Sequence, residues 1–354
     1  MKRFSYLIFK NIFALTILSA IGVCLIIYPQ NTAEGIKNGF LLLGNNLIPS
    51  LFPFMVLSSY ISQSTFSQTI SKLFEKPFKY LFKTSGFGVI PFILGSLGGY
   101  PVGAKTVCEF YESKKISQND ANRLLYWCIN PSPAFAVTAV GTFMLGNTLS
   151  GFILYFSCFL SALTVGFFCR FLSNNEICPI EKNQQKPKQN LFVKSVSKGS
   201  EGMFSICGWV LTFCVLTALC DALNPPYTIA IIIKSVAEIT TGCKNAVSSN
   251  LSLPVIASLL GFGGFAVICQ CASYSSVCKV KIKHLICSRL INSALSAIYC
   301  SFLLKIFPQC ENVGVVIGTS NISFTLYHSI GATVILLIMC ALLILEVDNH
   351  KKMC

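Results

Sequence analysis

The sequence is poor in charge. Charged residues make up 11% of the 354, against 53% hydrophobic, and the mean hydropathy is +0.67. A soluble domain carries about 25% charged residues, and no soluble fold of this length hides so much apolar surface under so little polar cover. Acidic residues are scarcest: 13 Asp+Glu face 27 Lys+Arg, for a net charge of +14. Other features are missing too. There is no CxxC pair, and Cys269-Gln270-Cys271 comes nearest. The three histidines, His284, His328 and His350, are far apart and lack metal-ligand spacing. No phosphate loop, catalytic triad or paired carboxylate is present, which argues against an enzyme, and no cofactor is implied. These absences exclude disorder, a fibrous repeat and a secreted disulfide scaffold. They leave the bilayer as the solvent.

What is present is a series of long apolar runs. A spanning helix needs about 20 such residues, and the runs are Asn11–Tyr28, Gly39–Ile61, Leu124–Leu145, Leu149–Phe171, Met203–Leu223, Leu253–Gln270, Leu290–Phe307 and Ser323–Leu345. The first follows Met1-Lys2-Arg3, but it is long and no small-residue cleavage site follows it, so it reads as an uncleaved span. Of the 18 cysteines, Cys24, Cys158, Cys207, Cys214, Cys220, Cys300 and Cys340 sit inside these runs, as small hydrophobes do.

Two further segments, Phe87–Lys105 and Tyr227–Lys244, are apolar but interrupted, one by glycines and prolines, the other by Lys234, Glu238 and Gly242. Such backbone is tolerated at membrane depth only against protein or a water-filled cavity, so both read as re-entrant hairpins. Charge placement agrees. With a cytoplasmic N-terminus and both hairpins turning back, every basic residue except Lys37, Lys234, Lys244 and Lys305 falls on the cytoplasmic side or at its boundary. The +14 is then an orientation signal, and nucleic acid is not an expected partner. The segment Thr106–Arg123, apolar among charges, reads as an amphipathic stretch on the cytoplasmic surface.

The hairpins resemble each other. Ser96 to Lys105 aligns without a gap on Ser235 to Lys244, and Ala134-Phe-Ala-Val137 has its counterpart in Gly264-Phe-Ala-Val267. An odd number of crossings separates the halves, which inverts the second. The expected fold is an all-α polytopic membrane protein with about eight transmembrane helices plus two re-entrant hairpins in two inverted repeats. Its parts are an N-terminal helix and connector (1–38), repeat 1 (39–172, hairpin 86–105), a cytoplasmic linker (173–200), repeat 2 (201–307, hairpin 227–244) and a C-terminal helix and tail (308–354). Inverted halves with interrupted helices meeting near the midplane are the architecture of secondary transporters.

The candidate binding residues sit at the interruptions. Glu238 is a carboxylate within an apolar segment, expensive there and a site by default; the alternative is a structural ion pair with Lys234. Beside it lie Thr240, Thr241, Gly242 and Lys244. In hairpin one, Ser96, Gly98, Gly99, Tyr100, Pro101 and Gly103 expose backbone near the tip, and Lys105 adds positive charge, a combination that favours anions. Close packing through small residues is the competing explanation. Asn130-Pro131-Ser132-Pro133 breaks one span, and Gly261-Phe-Gly263-Gly264, followed by Gln270, breaks its counterpart. Both breaks free backbone groups that need partners.

At these residues the chain resembles the YlbJ-type sporulation integral membrane proteins of the Gate, or nucleoside-recognition, superfamily, which is related to concentrative nucleoside transporters. The likeness rests on Leu97-Gly-Gly-Tyr-Pro-Val-Gly-Ala-Lys105, Asn130-Pro-Ser-Pro133, Ala237-Glu-Ile-Thr-Thr-Gly242, Gly261-Phe-Gly-Gly264 and Gln270. It covers roughly Gly39 to Leu345 and departs at Pro131-Ser132-Pro133, where related sequences often show Gly-Pro. The resemblance implies a multi-pass carrier in the cell membrane or outer forespore membrane of a spore former. Its small-molecule substrate would be dipicolinic acid, with Na⁺ or H⁺ as coupling ion, the lipid bilayer as surroundings and homo-oligomers allowed. An ion-coupled nucleoside transporter and a non-transporting scaffold in spore assembly are the alternatives.

Overall fold

The computed structural model describes residues 2–172 and 190–308, with the backbone alone at 2–10, 13, 14 and 227. Every regular element among them is a helix. α1 (Lys2–Ile27) leads to α2 (Pro29–Leu42), where proline sits at the helix start that needs no N–H. α2 runs through one widened π turn, Leu43–Leu47, into α3 (Ile48–Gln63). Pro49 supplies the reason, since it lacks the N–H that would bond back to the Asn45 turn.

α4 (Phe66–Phe82) ends on left-handed Lys83 and turns through Gly86–Gly88 into α5 (Val89–Gly98), the two stretches meeting at 95°. α6 (Tyr100–Glu112) and α7 (Gln118–Leu125) follow, then residues 126–132 without regular structure, and a π-helical segment, Ala134–Met144. α8 (Thr148–Cys169) closes the first half. The second comprises α9 (Leu191–Ala222), α10 (Tyr227–Ala237), α11 (Ile239–Ser248), α12 (Leu253–Phe262), α13 (Gly264–Ser275) and α14 (Ile282–Ile306).

Five stretches are long and apolar enough to cross a membrane: Pro29–Gln63, Thr148–Leu172, Leu191–Ala222, Leu253–Ser275 and Ile282–Ile306. The bent α4–α5 pair makes a sixth if counted as one. Five of the eight expected runs lie on these. Ser323–Leu345 and residues 173–189 of the linker fall outside the described residues. Leu124–Leu145 is corrected: α7 stops at Leu125, because Pro131 and Pro133 cannot donate and hold their predecessors out of helical geometry.

The exterior is apolar as well as the interior, unlike that of a soluble protein. Phe204 is 78% exposed, Ile298 62% and Phe302 58%, whereas Ser150, Ser157, Ser161, Ser195 and Ser296 are fully buried. Lipid takes the apolar exterior, and the buried hydroxyls bond mostly to carbonyls one turn back or across helices, as Ser161 does to Asn292. At the centre of the first half Trp127 stacks on Phe82 and Phe92, ring centroids 4.7 and 4.9 Å away.

Thr106–Arg123 lies only partly at the surface: Glu112, Ser113, Lys114 and Gln118 are exposed. Val107 and Phe110 are fully buried as α6 runs on to Glu112. The buried charges of this stretch are matched internally: Arg123 bonds the carbonyls of Phe82 and Lys83 and pairs with Asp120. Burial raises the Asp120 carboxyl despite that partner. Lys115 donates to Ser62 O and Ser67 Oγ and lies over the Phe87 and Phe110 rings, and burial pushes its ammonium down to about 8 against the pull of Glu109.

Candidate functional site

Hairpin one folds back at Gly99, whose φ of +99° needs glycine. The two arms touch through Gly95 and Gly103. A Cβ on Gly103 would come 1.9 Å from Cys128 O and 3.0 Å from the Gly95 Cα. The irregular segment of residues 126–132 therefore crosses the hairpin where it is thinnest. At the tip, Gly99 faces Ser132, and Asn130 Nδ2 reaches Trp127 O at 3.0 Å and Ser96 Oγ at 3.4 Å. Ser132 Oγ accepts from the Phe135 N–H and starts the next helix, and the Tyr155 hydroxyl donates to Ser96 O. Pro101 begins α6, and Gly98 packs on Phe54.

Hairpin two folds back at Glu238, held in extended geometry between α10 and α11. Its carboxylate accepts from Thr240 N (2.9 Å), Thr241 N (2.7 Å) and Thr241 Oγ1 (2.8 Å), so it caps the N-terminus of α11. Gly242 lets the arms close against Ser235 O. The proposed structural pair with Lys234 is not made; Lys234 bonds Asp221 of α9 instead. These two residues border a cleft of about 340 Å³ that also touches Asn224 and Asn245.

The two tips flank one break. Gly263 and Gly264 part α12 from α13 at φ +83° and +78°. A Cβ on Gly263 would stand 3.4 Å from the Tyr100 ring, and one on Gly264 3.3 Å from Ala237 O and 3.2 Å from Ile239 N. Tyr100 fastens the arrangement: its hydroxyl donates to Leu260 O at 2.7 Å. The expected residues of both tips and both breaks thus converge. Two expected cations do not. Lys244 points outward from α11 and is exposed. Lys105 is buried one turn or more beyond the tip, where its ammonium bonds Glu109 Oε1 (2.6 Å) and Ser59 Oγ. Gln270 is buried, and its side chain makes no hydrogen bond to the described residues.

Three residues of this neighbourhood were missed by sequence reasoning. Glu109, fully partnered by Lys105, Ser59 and Ser62, was hidden among the charges of a supposed surface segment. Asp221 was unremarked at the end of its span. Arg289 was assigned to a cytoplasmic loop, yet it is 1% exposed. It donates to Tyr126 O (2.9 Å) and to Ile129 O, carbonyls freed by the break, and Asn292 joins it at Tyr126 O. No carboxylate among the described residues pairs with Arg289, and its Nε is unpartnered. A signal existed: Arg289, Asn292 and Ser296 recur at i, i+3 and i+7, a polar stripe along an apolar helix.

No protein-family model matches the chain, and no solved structure matches it. Among curated proteins, it is 22% identical over 321 residues to the "Sporulation integral membrane protein YlbJ" of Bacillus subtilis (strain 168), covering 78% of this chain and 79% of that one. Apolar helices and this similarity together make the chain a multi-pass integral membrane protein similar to YlbJ.

Proposed function

We propose that the chain carries a small polar or anionic metabolite across a membrane during spore formation, with dipicolinic acid as the leading substrate. The observation that supports this best is the meeting of two hairpin tips around the Gly263–Gly264 break. Irregular backbone inside a membrane bundle is costly unless it serves a site, and tips of this kind are where carriers bind. The anionic preference is supported by Arg289, a buried guanidinium with no paired carboxylate among the described residues, beside the freed carbonyls of the first half. Its unpartnered Nε–H offers one charge-assisted bond to a carboxylate, beside the two terminal nitrogens that hold Ile129 O and Tyr126 O. The sporulation setting is supported by the relative's name. We place the chain in the cell membrane or outer forespore membrane with both termini cytoplasmic, and leave H⁺ or Na⁺ to drive it. In this reading Glu238 holds hairpin two in shape and does not itself meet the coupling ion.

Uptake of labelled dipicolinate into vesicles containing the purified chain tests the proposal. Wild type should accumulate it, and Arg289→Met should lose on the order of tenfold or more of the rate per folded molecule, as expected for a charge-assisted contact. No uptake by wild type overturns the reading. Uptake of labelled nucleosides alone makes the chain a nucleoside carrier, and transport of neither, with spore assembly still dependent on the chain, makes it a scaffold.

A further inference from the structure

α4 is an amphipathic helix, and its outward surface is divided in a way that neither the bundle nor the carrier site uses. One face is spent on protein: Ser67, Ser71, Phe78 and Phe82 are buried. A second stripe, seven residues apart, is apolar and open, with Phe66 57%, Leu73 74% and Tyr80 76% exposed. A third flank carries Lys72, Lys76, Lys79 and left-handed Lys83, all exposed. Glu75 is the one acid on the helix, and it is turned inward, where it accepts from the Gly86 N–H at 2.7 Å. None of the four lysines pairs with a carboxylate of the described residues. The helix meets the following stretch at 95°, so it lies across the direction of its neighbour.

The geometry points to α4 as a binding surface for anionic phospholipid headgroups, lying in the plane of the interface. Phe66, Leu73 and Tyr80 would enter the acyl boundary, while the lysine flank would meet lipid phosphates. A helix that presents apolar and basic stripes side by side is built for that boundary. Each lysine near an anionic surface contributes about 1 kcal/mol, or roughly fivefold in affinity. Turning Glu75 inward keeps the flank wholly positive while satisfying a backbone donor, so charge complementarity favours anionic over zwitterionic lipid. The inference does not depend on what the chain transports.

The full chain, purified in detergent, is titrated with short-chain phosphatidylglycerol or phosphatidylcholine while its thermal unfolding is followed. Phosphatidylglycerol should raise the midpoint at lower concentration, and Lys72→Gln/Lys76→Gln/Lys79→Gln should need on the order of 100-fold more of it. In vesicles of phosphatidylcholine brominated along the acyl chains, Tyr80→Trp should be quenched beyond the background of Trp127 and Trp209. Equal response to both lipids, an unchanged response of the triple variant, or an unquenched Tyr80→Trp overturns the assignment. Inorganic phosphate reproducing the shift also overturns it, by making the flank a soluble-anion site.

Discussion

Glu109 and Glu238 are both 8% exposed and both ionic groups inside an apolar chain, but they are held by different means. Glu238 is satisfied by two backbone N–H groups and a hydroxyl of the helix it starts, and it needs no cation. Glu109 depends on an ammonium and two serine hydroxyls from another helix. Removing one member of a buried pair strands the other charge, at about 3–5 kcal/mol. Glu109→Gln should therefore destabilise strongly, and Lys105→Met/Glu109→Gln should recover most of the loss. Loss of a helix cap costs about 1 kcal/mol, so Glu238→Ala should be the milder change. Denaturant unfolding of the three variants checks the order. Glu238 was legible in the sequence because a lone carboxylate in an apolar run stands out. Glu109 was not, since one more charge among many gives no contrast until packing shows which are enclosed.

At the scale of the helix, glycines divide into those that make contacts possible and those that do not. Gly95 and Gly103 let two arms and the crossing segment at Cys128 share one level. Gly22 and Gly208 have nothing within 4 Å of a Cβ. Gly103→Ala would drive a methyl into a carbonyl that cannot step aside, costing about 1–3 kcal/mol or more. Gly208→Ala, in the helix interior of α9, should instead gain about 0.5–1 kcal/mol. Thermal unfolding of both variants reads the difference in sign. The hairpins themselves were visible from Ser96 to Lys105 and Ser235 to Lys244, because glycine and charge interrupt hydropathy where nothing else does. Their lengths were not: α6 continues seven residues past Lys105 in a polar-looking stretch whose Glu109 is enclosed by Lys105, Ser59 and Ser62 while Glu112 is exposed. Periodicity identifies a face, but only the neighbours decide whether that face is wet.

Across the two halves, helix packing is reinforced by directed bonds among the described residues. Tyr100 donates to Leu260 O, Arg289 reaches Tyr126 O and Ile129 O, Ser161 bonds Asn292, and Cys108 and Cys278 lie 3.5 Å apart at sulfur. Each joins residues more than 130 positions apart, on opposite sides of the linker. Residues 1–172 and 190–354, expressed together from separate genes, should assemble and copurify through a tag on either one. Arg289→Met should reduce the recovered partner several-fold, because it leaves the buried Ile129 carbonyl without a donor, at about 1–3 kcal/mol, and Tyr126 O with Asn292 alone. A pull-down compared with the intact chain measures this. The sequence argued for two halves from repeated motifs; it carried no sign that the first half's carbonyls are served by the second half's arginine, a relation that exists only in three dimensions.

The bond from Tyr100 to Leu260 limits how this molecule can move. The tip of one half holds a carbonyl belonging to the break of the other. Lifting that tip alone takes the hydroxyl donor away from that oxygen, and the same break is pressed by the second tip at Gly264. Two independent gates would have four combinations of open and shut. In the carrier proposed above, a shared latch would penalise those in which one gate moves without the other, so the two tips are expected to rock as one unit.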